Sequence, residues 1–281
     1  MHEDMTYGED YHFLPVTSMK SGFGQEVQPD LFCLTIQIVN VCFIGEPGRK
    51  NWVLVDAGMP HAADEIISVA EERFGANNAP AAILLTHGHF DHVGSIIELV
   101  KHWNVPVYAH PLELPYLTGE RNYPTPDATV EGGLVAKLSP LFPNDAIDLG
   151  HHVSTLPEDG SLPRLEGWRW IHTPGHTPGH VSFYRESDRT LLAGDAFVTV
   201  KQESLWSVIT QELEISGPPR YLTTDWTKAS DSVRRLEALK PAAAVTGHGM
   251  PMTDQLLADS LEKLVREFDS IAVPEHGRYV Q

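Results

Sequence analysis

The stretch Thr86-His87-Gly88-His89-Phe90-Asp91-His92 decides how the chain is read. Before it, Pro80 bounds the apolar run Ala81-Ala82-Ile83-Leu84-Leu85, which has the length of a buried strand. After it, Val93, Ile96, Ile97, Leu99, Val100 and Trp103 recur at helical spacing. Three histidines and an aspartate therefore stand where a strand gives way to a helix. A turn there aims His87 and His89 the same way and swings Asp91 and His92 toward a neighbouring point. Imidazole and carboxylate together suit zinc, iron or manganese better than calcium or magnesium. The amides at the helix start favour anionic groups as well.

Outward from this stretch the same grammar repeats. Upstream, Leu31 to Ile44 is β-rich, Gly45-Glu46-Pro47-Gly48 is turn chemistry, and Trp52-Val53-Leu54-Val55 is a strand ending at Asp56-Ala57-Gly58. Ala62 to Phe74 reads as a helix stopped by Gly75. Downstream, Val105 to His110 is a further strand, so strand and helix alternate as in a layered α/β protein. Trp168 to Ile171 runs into His172-Thr173-Pro174-Gly175-His176-Thr177-Pro178-Gly179-His180. Val181 to Tyr184 and Thr190 to Ala193 form a hairpin that ends at Gly194-Asp195. A helix from Asp225, its N-cap, to Leu239 precedes the strand Ala242 to Val245, which ends in Thr246-Gly247-His248-Gly249. Thr253 to Ile271 reads as a long final helix. Asp56, His87, His176, Asp195 and His248 thus all follow apolar strands at turns, which is where layered α/β folds assemble sites.

The chain has 281 residues, long enough for an ample buried core, and is expected to be a single domain over 1-281. Residues 1 to 30 read as a polar arm. The proline-rich stretch at about 111-165 reads as a lid or pocket wall, with a short helix near Gly133 to Leu141. With 20 Lys plus Arg against 38 Asp plus Glu, the net charge is −18, which disfavours nucleic acid as a partner. The two cysteines, Cys33 and Cys42, form no CxxC pair and indicate no disulfide framework; one strand through both would place them on opposite faces. An acidic N-terminus without an apolar core and the lack of a long apolar run lead to the expectation of a soluble, cytoplasmic chain that binds a small molecule and no membrane. Whether it forms a homo-oligomer stays open.

Thr86 to His92 resembles the HxHxDH signature of the metallo-β-lactamase-fold hydrolases. Asp56 in Val-Asp-Ala-Gly, His176 in Pro-Gly-His-Thr-Pro-Gly-His, Asp195 in Gly-Asp and His248 in Gly-His-Gly resemble that family's other motifs, in order, over roughly residues 31 to 250. The resemblance implies a four-layer αβ/βα sandwich and two divalent metal ions, zinc foremost, with iron and manganese as alternatives. It implies that His87, His89 and His176 hold one ion, that Asp91, His92 and His248 hold the other, and that Asp195 bridges them. Asp56 would orient ligands from behind. Two divalent ions, two carboxylates and a bridging hydroxide leave a net charge of +1, a site that keeps hydroxide near neutral pH. Asp91 is in addition a candidate proton shuttle. His180 is expected to be structural, and Phe197, Trp206 and Tyr221 are candidate pocket walls, with core packing as the equal alternative.

Within the family, classical zinc β-lactamases lack the bridging Asp, flavodiiron reductases carry Glu where this chain has His89, and the ribonucleases add a nucleic-acid-binding domain. Quorum-quenching lactonases share the length and the ligand motifs, but carry a Tyr three residues after the bridging Asp, where this chain has Val198. The expected function is therefore dinuclear hydrolysis of a small carboxylic ester or lactone. The alternatives are a glyoxalase-II-like thioesterase, a mononuclear-iron persulfide dioxygenase and a non-catalytic metal-binding sensor.

Overall fold

A computed structural model describes residues 5–131, 133–201 and 205–280. The chain divides into two compact units. The first comprises Met1–Thr17, Ser21–Tyr123 and Pro143–Glu166, and the second Ser18–Lys20, Pro124–Phe142 and Gly167–Gln281. The stretch 111–165 is shared out between them and is not one body. Residues 124–142 belong to the second unit, and Val153–Thr155 is a strand of the first.

Unit 1 is built on a seven-stranded sheet in chain order: β1 (Gly24–Gln28), β2 (Leu31–Ile36), β3 (Val39–Ile44), β4 (Val53–Val55), β5 (Ala82–Leu84), β6 (Val107–Ala109) and β7 (Val153–Thr155). The first four strands pair antiparallel and the last four parallel. β3, β4 and β5 are buried at every position, which is why they read as unbroken apolar runs without alternation. Trp52 anchors this core. Its ring stacks on Phe74 at 4.4 Å, lies 5.9 Å from Phe43 and meets Trp103 edge-on at 5.6 Å, while its indole N–H donates to the Asn78 carbonyl.

Three sequence expectations change here. β1 lies inside the segment read as a polar arm; GQEVQ has a single large apolar residue and no buried position, so it carries no strand signal. The β-rich run from Leu31 to Ile44 is two strands that turn at Gln37-Ile38, with Gln37 at φ +56°. Cys33 and Cys42 consequently face each other across β2 and β3 instead of lying on opposite faces of one strand, and both are buried free thiols. The helix read from Val93 to Trp103 is broken into Phe90–Val93 and Ile96–Trp103. At the break a Cβ on Gly94 would lie 2.3 Å from the Pro60 nitrogen, and Ser95 Oγ donates to the Met59 carbonyl. The turn after β4 is thereby fastened to the turn that carries His92.

Unit 2 holds a five-stranded sheet of β8 (Trp168–His172), β9 (Val181–Arg185), β10 (Thr190–Gly194), β11 (Ala243–Thr246) and β12 (Met252–Thr253), in the order β12-β11-β10-β9-β8. Only β10 and β11 are parallel. Leu191, Val233, Leu236, Leu257 and Leu264 fill its core, each at most 1% exposed. Burial of such side chains contributes about 1.5–3 kcal/mol apiece. Asp225 caps the helix Trp226–Glu237 by accepting from the Lys228 amide. The last helix stops at Arg266, and Phe268–Ile271 follows as a separate turn. No helix among the described residues is long and apolar enough to cross a membrane.

Candidate metal centre

In unit 1, β4 and β5 run parallel in the register Val55↔Leu84, so they leave the sheet at the same edge. Asp56 and Thr86 emerge side by side there. The Asp56 amide donates to the Leu84 carbonyl, and Asp56 takes φ +61°, a left-handed conformation that aspartate tolerates better than most residues. Its buried carboxylate accepts from the Thr86 amide at 2.8 Å, the Thr86 hydroxyl at 2.8 Å and His92 Nδ1 at 2.8 Å.

These bonds settle two tautomers. A carboxylate only accepts, so His92 carries its proton on Nδ1 and presents the Nε2 lone pair on the far side of the ring. The Thr86 hydroxyl donates its hydrogen bond to Asp56, so it accepts from His87 Nδ1 at 3.0 Å, and His87 likewise presents Nε2. Asp56 thus orients two imidazoles, one directly and one through Thr86. The rings of His87 and His92 lie 4.2 Å apart, and those of His87 and His89 4.8 Å apart. Asp91 follows on the short helix, its Oδ2 3.9 Å from His92 Nε2. His87, His89, Asp91 and His92 are each at most 5% exposed.

In unit 2, β10 and β11 also end together, with the Gly247 amide donating to the Gly194 carbonyl. Asp195 and His248 follow these strands, and the loop from β8 to β9 brings His176 to the same edge. Asp195 Oδ2 lies 3.5 Å from His176 Nε2 and 3.3 Å from His248 Nε2. The Thr223 hydroxyl donates to the Pro219 carbonyl and so accepts from His176 Nδ1 at 3.1 Å, which leaves Nε2 of His176 facing Asp195. His180 has both ring nitrogens engaged within the fold. Nδ1 meets the Thr173 carbonyl at 3.1 Å, and Nε2 accepts the Asp195 amide at 2.9 Å.

In each unit a buried imidazole held as the Nδ1–H tautomer has a carboxylate beside its Nε2, His92 with Asp91 in unit 1 and His176 with Asp195 in unit 2, and such donors fit divalent transition metals. The sequence leaves pocket wall and core packing equally open for Phe197, Trp206 and Tyr221. Phe197 is fully buried in the unit 2 core. Tyr221 packs edge-on against Phe142 at 5.7 Å in a small cluster with Val130 and Ala136. Trp206 lies on the helix Leu205–Thr210, with its side chain outside the described residues. Sequence reading missed Thr86 and Thr223 as tautomer-setting groups. Thr86 adjoins a motif histidine and was within reach of inspection, whereas Thr223 is 47 positions from His176 and carries no local signal.

Asp56 supports a direct expectation. Asp56→Ala leaves buried donors of Thr86 and His92 without an acceptor, at about 1–3 kcal/mol each. Urea denaturation of the metal-free protein should show a loss of about 3 kcal/mol, and metal affinity should fall about 10–100-fold. Unchanged values would remove Asp56 from its orienting role.

A family model described as the Metallo-beta-lactamase superfamily matches residues 34–248. The chain is 49% identical over 260 residues to the probable metallo-hydrolase YflN of Bacillus subtilis (strain 168), which covers 92% of this chain and 98% of that one. It is 29% identical over 149 residues to the hydroxyacylglutathione hydrolase GloC of Haemophilus influenzae, 52% of this chain and 61% of the relative. Among solved structures, TTHA1623 in a di-iron-bound form is similar at a TM-score of 0.54 and 28% identity, covering 85% of this chain and 98% of that chain.

Proposed function

Because this chain belongs to the metallo-beta-lactamase superfamily of metallo-hydrolases and has its α/β sandwich fold, we propose that it is a dinuclear metal-dependent hydrolase that cleaves a small carboxylic ester or lactone. One observation carries the reading. A single carboxylate oxygen of Asp195 faces the Nε2 atoms of two histidines from separate loops, which supports reading it as a ligand shared by two ions. His87, His89 and His176 hold one ion in this reading, Asp91, His92 and His248 the other, and Asp195 both. Zinc is the first assignment, with iron and manganese also suited to the donors.

When bound, two divalent ions would supply hydroxide near neutral pH, by lowering the pKa of water to about 7, and a Lewis acid for a carbonyl oxygen. The protein's part is preorganisation. Asp56 keeps His92 and, through Thr86, His87 in the tautomer that presents Nε2. Thr223 does the same for His176. His180 holds the Asp195 backbone, so the carboxylate keeps its aim. Asp91 is assigned to take the proton of the attacking hydroxide and pass it to the departing alkoxide as the C–O bond breaks. The net charge of −18 supports a small-molecule substrate over nucleic acid.

The resemblance to a hydroxyacylglutathione hydrolase favours a second reading, thioester cleavage by the same residues. A panel of lactones, carboxylic esters and hydroxyacyl-glutathione thioesters separates the two. kcat/KM for the best ester or lactone should exceed that for the best thioester by at least about tenfold, within the range one pocket contact provides. The opposite order would replace the first reading with the second.

A further inference from the structure

The amide between His87 and His89 is gripped by two side chains that the hydrolytic reading leaves unused. The Gly88 N–H is 3.0 Å from the Tyr123 hydroxyl and 3.1 Å from Glu113 Oε2. The Tyr123 hydroxyl donates to that same carboxylate oxygen. Glu113 is fully buried and Tyr123 is 5% exposed. Both come from beyond β6, where Glu113 is fixed by its own amide donating to the His110 carbonyl and Tyr123 by its amide donating to Asn144. The Tyr123 ring stacks on Tyr116 at 3.9 Å and lies 4.5 Å from the imidazole of His89.

Hydrogen-bond bookkeeping assigns the phenol a structural task. Its O–H donates to Glu113 and its oxygen accepts the Gly88 N–H, so the hydroxyl links the carboxylate to the turn. Gly88 is what permits the grip. A Cβ there would lie 2.7 Å from the Tyr123 oxygen and 3.1 Å from Leu117 Cδ2. Any larger residue would push apart the turn and its clamp.

We propose that Glu113 and Tyr123 are positioning residues that clamp the His87-Gly88-His89 turn, so that both imidazoles hold their aim before a metal arrives. The inference rests on reading His87 and His89 as metal ligands. A clamped turn spends less conformational entropy when the ion binds, and groups behind ligands commonly contribute 10–100-fold in metal affinity.

The test uses the full chain and reads zinc affinity by competition with a chromophoric chelator, together with the visible spectrum of the cobalt(II)-loaded protein. Tyr123→Phe keeps the ring stack and removes the hydroxyl. Zinc affinity should fall about 10–100-fold and the cobalt bands should shift, while the metal-free protein melts within about 4 °C of the unaltered chain. Glu113→Gln keeps an oxygen for the Gly88 amide but loses the charge-assisted bonds, and should weaken zinc binding about fivefold. Unchanged affinity and unchanged cobalt bands in both variants would overturn the clamp; if Tyr123→Phe fails to fold, the same result in Glu113→Gln alone does so. His89→Ala is the control. If the unaltered chain binds no zinc, or His89→Ala binds it equally well, the ligand assignment itself fails and the clamp with it.

Discussion

Asp195→Ala should lower kcat/KM by more than about 100-fold, beyond the 10–100-fold typical of groups that only stand behind ligands, and should reduce bound metal from two ions per chain to one or fewer. The carboxylate faces both His176 Nε2 and His248 Nε2, so in the proposed centre its loss removes a ligand from each ion at once. The fold should survive the change. The contact that fixes this position, from the Asp195 amide to His180 Nε2, is made by the backbone and is retained by alanine. Elemental analysis, turnover and far-ultraviolet circular dichroism of the variant check the three parts together. Near-normal activity with both ions retained would remove Asp195 from the bridge.

The strands were legible where both faces are covered. β3, β4 and β5 are buried throughout, and their apolar runs announce themselves. β1 and β7 were not, because an edge strand such as GQEVQ, or three residues such as Val153–Thr155 with one buried side chain, has no pattern to read. The turn at Gln37-Ile38 was hidden for a different reason. Neither residue is usual turn chemistry, and the register of β2 on β3 enforces the left-handed backbone at Gln37.

The candidate site was legible in its strand-end histidines and aspartates and silent in its other supports. Asp56, His87, Asp195 and His248 stand out because a polar residue after an apolar strand is conspicuous, and parallel pairing of β4 with β5 and of β10 with β11 brings those strand ends together. Thr223, Glu113 and Tyr123 are ordinary residues in ordinary surroundings along the chain. They act on groups 47, 25 and 35 positions away, and only the folded backbone shows the connection. For Phe197 the sequence leaves pocket wall and core packing equally open, and its side chain packs in the core of unit 2.

The second large effect concerns metal removal. Nδ1 of His87, His92 and His176 is engaged by Thr86, Asp56 and Thr223, which sets each ring in the tautomer that can bind a divalent ion through Nε2. Protein stripped with a chelator should lose essentially all turnover, and two equivalents of divalent metal should restore it. A persulfide dioxygenase, by contrast, needs one redox-active iron and molecular oxygen, and zinc cannot replace that iron.

The most direct measurement is therefore turnover of the zinc-reconstituted protein under strictly anaerobic conditions, on a panel of lactones, carboxylic esters and thioesters, with bound zinc counted in the same sample. Two zinc ions per chain and hydrolysis of a lactone or ester without oxygen are the expected result. A zinc-loaded protein inert toward every member of the panel, while the form holding one iron consumes oxygen with a persulfide, would contradict it.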